Sequence, residues 1–286
     1  MRILILGASG VVGYHAAQGL KEHEVITVAK NYEGADYQLD LSKEKTLEWV
    51  IGTTKPEIVI NAVKPPLSVD AMETERKQAY LLNTMLPEWL ARLQKRKGFK
   101  LIHISTDGVY EGKEGDTYFE ESLAYPKNYY TITKLLAEER IRCLADDFLI
   151  LRTEGVFGYD RRKTNFFLRL KDAHDNDYAA LAAADQFSQP ICGIELARLI
   201  SKLIEKDASG VFNAVSPDYI SRFELAQRIC NVMGWDTKLM ASSIRDRILP
   251  VQAHLRVSIS KLEITAGKVQ TINEQLELLK RWNYEN

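Results

Sequence analysis

Apolar runs and amphipathic stretches alternate along the first half of the chain. Ile3 to Leu6 is an unbroken apolar run, the pattern of a strand covered on both faces in a parallel sheet. Further strands are read at Glu24 to Ala29, which alternates, and at Tyr37 to Leu41, Glu57 to Val63, Lys100 to Ser105 and Phe148 to Arg152. Helical patterns separate them: one opening at Tyr14, one through Leu47, Trp49 and Val50, a long one from about Val69 to Lys97, and one from Tyr130 to Leu144. The paired prolines Pro65 and Pro66 close the fourth run and put a loop there. Strand and helix in turn predict an α/β protein with a doubly wound parallel sheet.

Beyond Thr153 the alternation loosens. Gly155 to Gly158 reads as a turn, Phe166 to Leu170 as a helix, Ala179 to Ala184 as a short strand, and Ile194 to Ile204 as a helix returning to the main body. Val211 to Val215, a helix from Arg222 to Met233 and the remaining tail then complete a second unit. The expected division is a dinucleotide-binding domain over 1–152, with 185–210 returning to it, and a smaller substrate-binding lobe built from 153–184 and 211–286.

Composition narrows the field. A chain of 286 residues with 45% hydrophobic and 27% charged residues and a net charge of −1 is an ordinary globular protein, and no nucleic-acid or polyanion partner is implied by charge. Cys143, Cys192 and Cys230 are few, odd in number and far apart, which argues against a disulfide framework or thiolate metal site and for three buried small hydrophobes. His15, His23, His103, His174 and His254 show no ligand spacing, so no metal site is expected and each reads as structural or exposed. With no signal-peptide pattern and no 18-residue apolar run, a cytoplasmic protein without a membrane segment is expected.

Chemistry enters where the first run ends. Gly7, Gly10 and Gly13, with Ser9, Val11 and Val12 between them, link a strand to a helix. That arrangement turns backbone N–H groups and a helix dipole toward a phosphate, and makes the sheet a Rossmann fold. At the end of the second run, where a carboxylate would hold the 2′-hydroxyl of NAD, stand Ala29, Lys30 and Asn31. Lys30 favours a 2′-phosphate, hence NADP(H), with NAD(H) the alternative because Glu33 and Asp36 lie nearby. Asp40 and Leu41 fall at the adenine edge. The basic stretch Arg161 to Lys163 could hold a diphosphate or be a solvated face, and the pattern leaves both readings open.

The reacting groups lie further on. Tyr130 and Lys134 sit one helical turn apart and would face one space, and Thr106 arrives there from the end of the fifth run. A cation near a phenol stabilises the phenolate, so the pair predicts a tyrosine with lowered pKa serving as general acid or base, with the Thr106 hydroxyl on the substrate oxygen. The three together suit carbonyl reduction or alcohol oxidation. A Tyr-xxx-Lys spacing arises by chance about once in such a chain, so its weight comes from context.

The context is a series of motifs in order: Gly7-xx-Gly10-xx-Gly13, Asp40-Leu41, Asn61-Ala62, Val69-Asp70 with Asn83, Ser105-Thr106-Asp107-Gly108-Val109-Tyr110, Tyr130-xxx-Lys134, Arg152-Thr153-xx-Val156-Phe157-Gly158, Asn165-Phe166 and Asp185 to Pro190. In these the chain resembles the extended short-chain dehydrogenase/reductases, and among them the dTDP-4-dehydrorhamnose reductase group. The resemblance implies NADPH-dependent reduction of a nucleotide-linked 4-keto-6-deoxy sugar. Tyr130 would protonate the C4 oxygen, Lys134 would hold the ribose and tune the tyrosine, and Thr106 would bind the carbonyl. It also places Ser105 and Asn61 to Val63 on the cofactor, and Asp107, Gly155 and Asn165 on the substrate. Gly108, where the dehydratase branch has Glu, argues against dehydration. Pairing into a homodimer is a further implication.

Two departures fall on the substrate side, Val63-Lys64-Pro65-Pro66 and Pro250-Val251-Gln252-Ala253, while Thr131 replaces a usual Gly. Two other readings stay open, a cofactor-binding regulatory subunit like that of methionine adenosyltransferase and a sugar-nucleotide epimerase. An intact Thr106, Tyr130 and Lys134 set favours an enzyme over the regulatory subunit, and an epimerase would show no net NADPH consumption.

Overall fold

The structure is a computed structural model and describes residues 1–247 and 249–285; Ile248 and Asn286, within the stretch assigned to the lobe, lie outside the described residues. In chain order the first elements are β1 (Arg2–Leu6), α1 (Val11–Gly19), β2 (Glu24–Ala29), β3 (Tyr37–Gln38), α2 (Glu44–Thr54) and β4 (Ile58–Asn61). Next come α3 (Arg76–Tyr80), α4 (Leu86–Lys97), β5 (Lys100–Thr106), α5 (Tyr129–Leu144) and β6 (Phe148–Thr153). The second half holds α6 (Phe166–Asp175), β7 (Ala180–Ala183), β8 (Phe187–Ser188), α7 (Gly193–Glu205), β9 (Gly210–Asn213), β10 (Ile220–Ser221), α8 (Arg222–Met233), β11 (Leu239–Ser242), α9 (Ser260–Ala266) and α10 (Ile272–Glu285).

Seven strands form one sheet in the order β3-β2-β1-β4-β5-β6-β9, all neighbours parallel. Alternation along each buried strand divides the core between two faces. Ile3, Ile5, Ile60 and Ile102 pack with Ala16 and Leu20 of α1 and Leu196, Leu199 and Leu203 of α7. Leu4, Leu6, Val59, Leu101 and Ile150 pack on the other side with Leu47 and Val50 of α2, Leu90 of α4 and Ile141 of α5. Strand order reverses direction on either side of β1, between β2 and β4. A crevice opens there outside the carboxyl ends of the strands, and ligands bind in such crevices.

Some boundaries differ from the sequence pattern. The long helical stretch 69–97 is broken into a 3-10 turn at Ala71–Glu73, α3, a π turn at Leu81–Met85 and α4. Pro87, in the first turn of α4, has no N–H to return to the carbonyl of Asn83, and the wider π turn absorbs the missing bond. The third strand ends at Gln38 rather than Leu41 and the fourth at Asn61 rather than Val63.

The stretch 211–215, assigned to the lobe, supplies β9, which extends the main sheet by pairing with β6. Leu262, Ala266 and Val269, also from the assigned lobe, pack in the same core as β1 and α7. What remains is two small sheets, β8 with β10 and β7 with β11, packed with α6, α8 and α10 around Phe167, Leu170, Ile229 and Leu276. Cys192 and Cys230 are buried, but Cys143 is exposed, on the outer face of α5. Among the described residues no helix is long and apolar enough to cross a membrane.

Candidate active site

β1 ends in Gly7 with φ +90°, and a Cβ there would stand 2.7 Å from the Ala62 carbonyl oxygen, so the loop can turn against the end of β4 only as glycine. A Cβ on Gly13 would collide with the Gly7 carbonyl, which holds α1 close behind the loop. At Gly10 the nearest atom to such a Cβ is 3.7 Å away, and this open side faces the cleft. α1 starts at Val11 with no side-chain cap and no acidic residue in its first turn. The first N–H groups of a helix have no acceptor within it, so Val11, Val12 and Gly13 present donors to whatever approaches. The loop fits a dinucleotide's phosphates.

Gly10, Val11 and Val12 form one end of a cleft of about 740 Å³ between the carboxyl ends of the main strands and the residues of β7, α6 and α8. Ala62, Val63, Ser105, Thr106, Tyr130, Lys134, Gly155 and Asn165 line it as well. Other expected contacts are engaged elsewhere. Lys30 is ion-paired with Asp40 at 2.8 Å, a bond that holds the Asp40 carboxyl down at about 2. Leu41 turns its side chain into the core beside Val28 and Leu47. The Ser105 hydroxyl donates to Glu138 Oε1. Asn165 caps α6 through its Oδ1 and gives its Nδ2 to the Gly158 carbonyl and Asp160, so its amide holds the loop rather than facing a ligand. Ser9 meets Arg161 through its backbone carbonyl. Asp107 is fully buried and does not line the cleft.

Thr106 ends β5, where its Oγ1 accepts the Gly108 N–H at 3.1 Å. Tyr130 comes from the first turn of α5, fixed by a capping box in which Asn128 Oδ1 accepts the Thr131 N–H and Thr131 Oγ1 accepts the Asn128 N–H. Thr131 therefore has a structural task where the group it resembles carries Gly. Asn83 braces the same helix, donating to Thr133 Oγ1 at 3.0 Å.

The electrostatics differ from the expected lowered phenol. Burial pushes the Tyr130 phenol well above its ordinary range, the Glu154 carboxylate adds to the rise, and the Thr106 hydroxyl opposes it. The Lys134 Nζ donates to the Ile104 carbonyl and lies 3.3 Å from His103 Nε2. Burial brings Lys134 down to about 8, Glu138 works against that fall, and Lys64 adds to it. Asp107 is raised well above the carboxylate range by burial and then by Glu154.

His103 is a site residue that spacing did not single out. Its ring bridges Lys134 and Asn61, with Nδ1 3.1 Å from Asn61 Nδ2, while Asn61 Oδ1 accepts the Val63 N–H. With the amide assigned that way, Nδ1 accepts and Nε2 carries the proton, so the ring is matched to a neutral Lys134 amine; a charged Lys134 requires the other tautomer. Burial keeps His103 far below its usual pKa. Only the strand register at β4 and β5, which sets Asn61 beside His103, could have revealed it.

Lys64 and Arg162, from stretches the sequence had singled out, line the cleft, and so do three cations it had not, Arg169, Arg222 and Arg247. Arg222 stands 4.2 Å over the Phe166 ring and Arg169 5.9 Å over it, and burial takes Arg222 down to about 10. The protein around Lys64 holds its ammonium below the ordinary range, with Arg162 and Arg169 adding to the effect, although the residue remains exposed. Gln252 donates to the Gly108 carbonyl at 2.6 Å and lines the cleft beside Val251. Both departures from the family pattern thus meet at this site. Among the described residues no cluster of His, Cys, Asp and Glu is placed to hold a metal ion.

A family model described as the RmlD substrate binding domain matches residues 1–277. The dTDP-4-dehydrorhamnose reductase of Burkholderia thailandensis is 30% identical over 262 residues, covering 88% of this chain and 84% of that one. Of solved structures, a hypothetical dTDP-4-dehydrorhamnose reductase from Sulfolobus tokodaii is 31% identical with a TM-score of 0.82, covering 96% of this chain and 98% of that one. The dTDP-4-dehydrorhamnose reductase of Bacillus anthracis, solved in complex with NADP, shares the fold at 24% identity and a TM-score of 0.88, covering 100% of this chain and 99% of that one.

Proposed function

The chain belongs to the RmlD substrate binding domain family, and on that premise we propose that it reduces the keto group of a nucleotide-linked 4-keto-6-deoxy sugar with NADPH. The observation that carries the reading is that Thr106 and Tyr130 line the same cleft as the uncapped start of α1. A hydride carrier and a carbonyl can then lie side by side over one wall.

The Gly7 to Gly13 loop, Ala62, Val63 and Lys134 would hold the dinucleotide, whose nicotinamide supplies hydride to the carbonyl carbon. Thr106, with its acceptor used by Gly108, donates to the carbonyl oxygen and orients it. Tyr130, kept protonated by burial and Glu154, gives its phenolic proton to that oxygen as negative charge develops there. The raised phenol suits reduction, since oxidation would need the phenolate that this environment disfavours. Lys64, Arg169 and Arg222 supply positive charge for the diphosphate of a nucleotide sugar.

The test is NADPH consumption with a panel of nucleoside-diphosphate 4-keto-6-deoxy sugars, comparing wild type with Tyr130→Phe. One of the sugars is expected to be turned over, and the variant to lose about 10²–10⁴-fold in kcat while binding NADPH as wild type does. Cofactor binding without turnover of any sugar in the panel would reject this substrate class.

A further inference from the structure

The loop between Gly158 and Asn165 leaves the body of the lobe and crosses the glycine loop of the sheet domain. Asp160 shapes it, accepting the Lys163 N–H at 2.6 Å and the Asn165 amide at 3.1 Å. Arg161 donates its backbone N–H to the Ser9 carbonyl at 3.2 Å. Its guanidinium lies 5.0 Å from the Tyr14 ring and 5.8 Å from the Tyr32 ring, between the start of α1 and the turn after β2. Arg162 runs past Gly10, its Cδ 3.9 Å from where a Cβ would stand, and reaches the Lys64 carbonyl at 3.4 Å.

Neither arginine has a carboxylate partner among the described residues. Arg162 and Lys64 stand together at the cleft as like charges, a placement that costs energy until an anion arrives. A loop kept only as a solvated face would turn its cations outward; here the backbone of one and the side chains of both are fastened to the segments that cradle phosphate. Lys30, by contrast, is already committed to Asp40.

We propose that Arg161 and Arg162 are phosphate-binding residues for the dinucleotide, Arg161 at the ribose 2′-phosphate and Arg162 at the diphosphate over Gly10. The assignment rests on the cofactor reading above, and it makes the lobe, not the end of β2, the source of NADP selectivity. An arginine near the end of the second strand accommodates a 2′-phosphate in dinucleotide folds, and this one reaches that place from the other half of the chain. Cofactor binding then ties the lobe to the sheet.

The experiment is titration of the full chain with NADPH and with NADH by fluorescence, in wild type, Arg161→Ala, Arg162→Ala and Lys30→Ala. Arg161→Ala is expected to weaken NADPH about tenfold or more and leave NADH unchanged, the loss of one charge-assisted contact. Arg162→Ala weakens both cofactors alike, and Lys30→Ala preserves the ratio within about twofold. In wild type, NADPH slows trypsin cleavage after Arg161, Arg162 and Lys163 more than NADH does. Arginine variants that bind both cofactors as wild type does, a wild type that shows no NADPH preference, or a Lys30 variant that alone loses it would overturn the assignment. A wild type that binds neither nucleotide would overturn the cofactor reading together with it.

Discussion

At the scale of single residues, Lys134 governs how the site responds to pH. Its ammonium, brought down to about 8, is charged at neutral pH and loses its proton in mild alkali. NADPH affinity is expected to weaken as pH rises through about 8, and Lys134→Met to abolish that midpoint. In the tautomer that Asn61 favours, the His103 Nε2 proton faces the Lys134 amine and disfavours its charged form. His103→Leu should therefore move the midpoint up by about one pH unit, the worth of roughly one hydrogen bond, in the same binding titration. A midpoint that stays put would show that burial and Lys64 alone depress the lysine. Tyr130 and Lys134 could be set on one face because they stand one helical turn apart, and Thr106 beside them because it ends the fifth strand of the pattern. His103, Glu154, Arg169 and Arg222 were not legible, since each comes from a different segment and meets the others only through packing. The direction of the tyrosine shift was misread for the same reason: spacing placed a lysine near the phenol but could not show that its ammonium turns to the Ile104 carbonyl.

At the scale of elements, α5 carries the chemistry on a helix whose start is over-determined. Asn128 and Thr131 satisfy each other's backbone, and Asn128 also donates to the Pro250 carbonyl at 3.2 Å. Asn128→Ala is expected to lower stability by about 1 kcal/mol in denaturant unfolding. It should also lower kcat more than it raises the Kd for NADPH, because the frayed turn holds Tyr130 while Lys134 sits a turn deeper. The alternation of the first half placed β1 to β6 in order, with the third and fourth ending short of the pattern and the long helix between β4 and β5 broken. The break between α3 and α4 follows from Pro87, a signal present in the sequence whose consequence, a π turn rather than a loop, depended on the neighbouring packing of Asn83 and Thr84 against Thr133.

At the scale of the whole molecule, the sheet and lobe meet at α1, where His15 is buried against Gly158 and Gly193. Burial takes this imidazole down to about 4, against a bond to the Tyr159 backbone that raises it. Below about pH 6.5 the unfolded chain binds a proton that the folded chain refuses, so stability is whole above that pH and falls until about pH 4. The loss is about 3 kcal/mol. Unfolding free energies across this window should show that decline, and His15→Gln should remove this part of it. A second feature at this scale is the buried pair of Glu138 with Arg152 at 2.7 Å, tied through Tyr110 to Asn213 on β9. It adds a side-chain tie to the backbone pairing that holds this edge strand on β6.

The amino-acid sequence by itself determined the α/β alternation, the glycine loop and the one-turn spacing of Tyr130 and Lys134, because each rests on neighbours in the chain and on the periods of strand and helix. Only the tertiary structure decided where β9 pairs, which cations line the cleft, that Lys30 is held by Asp40, and that Arg161 and Arg162 cross to the glycine loop. Those facts depend on contacts between segments far apart in sequence, whose distances and local burial no spacing encodes.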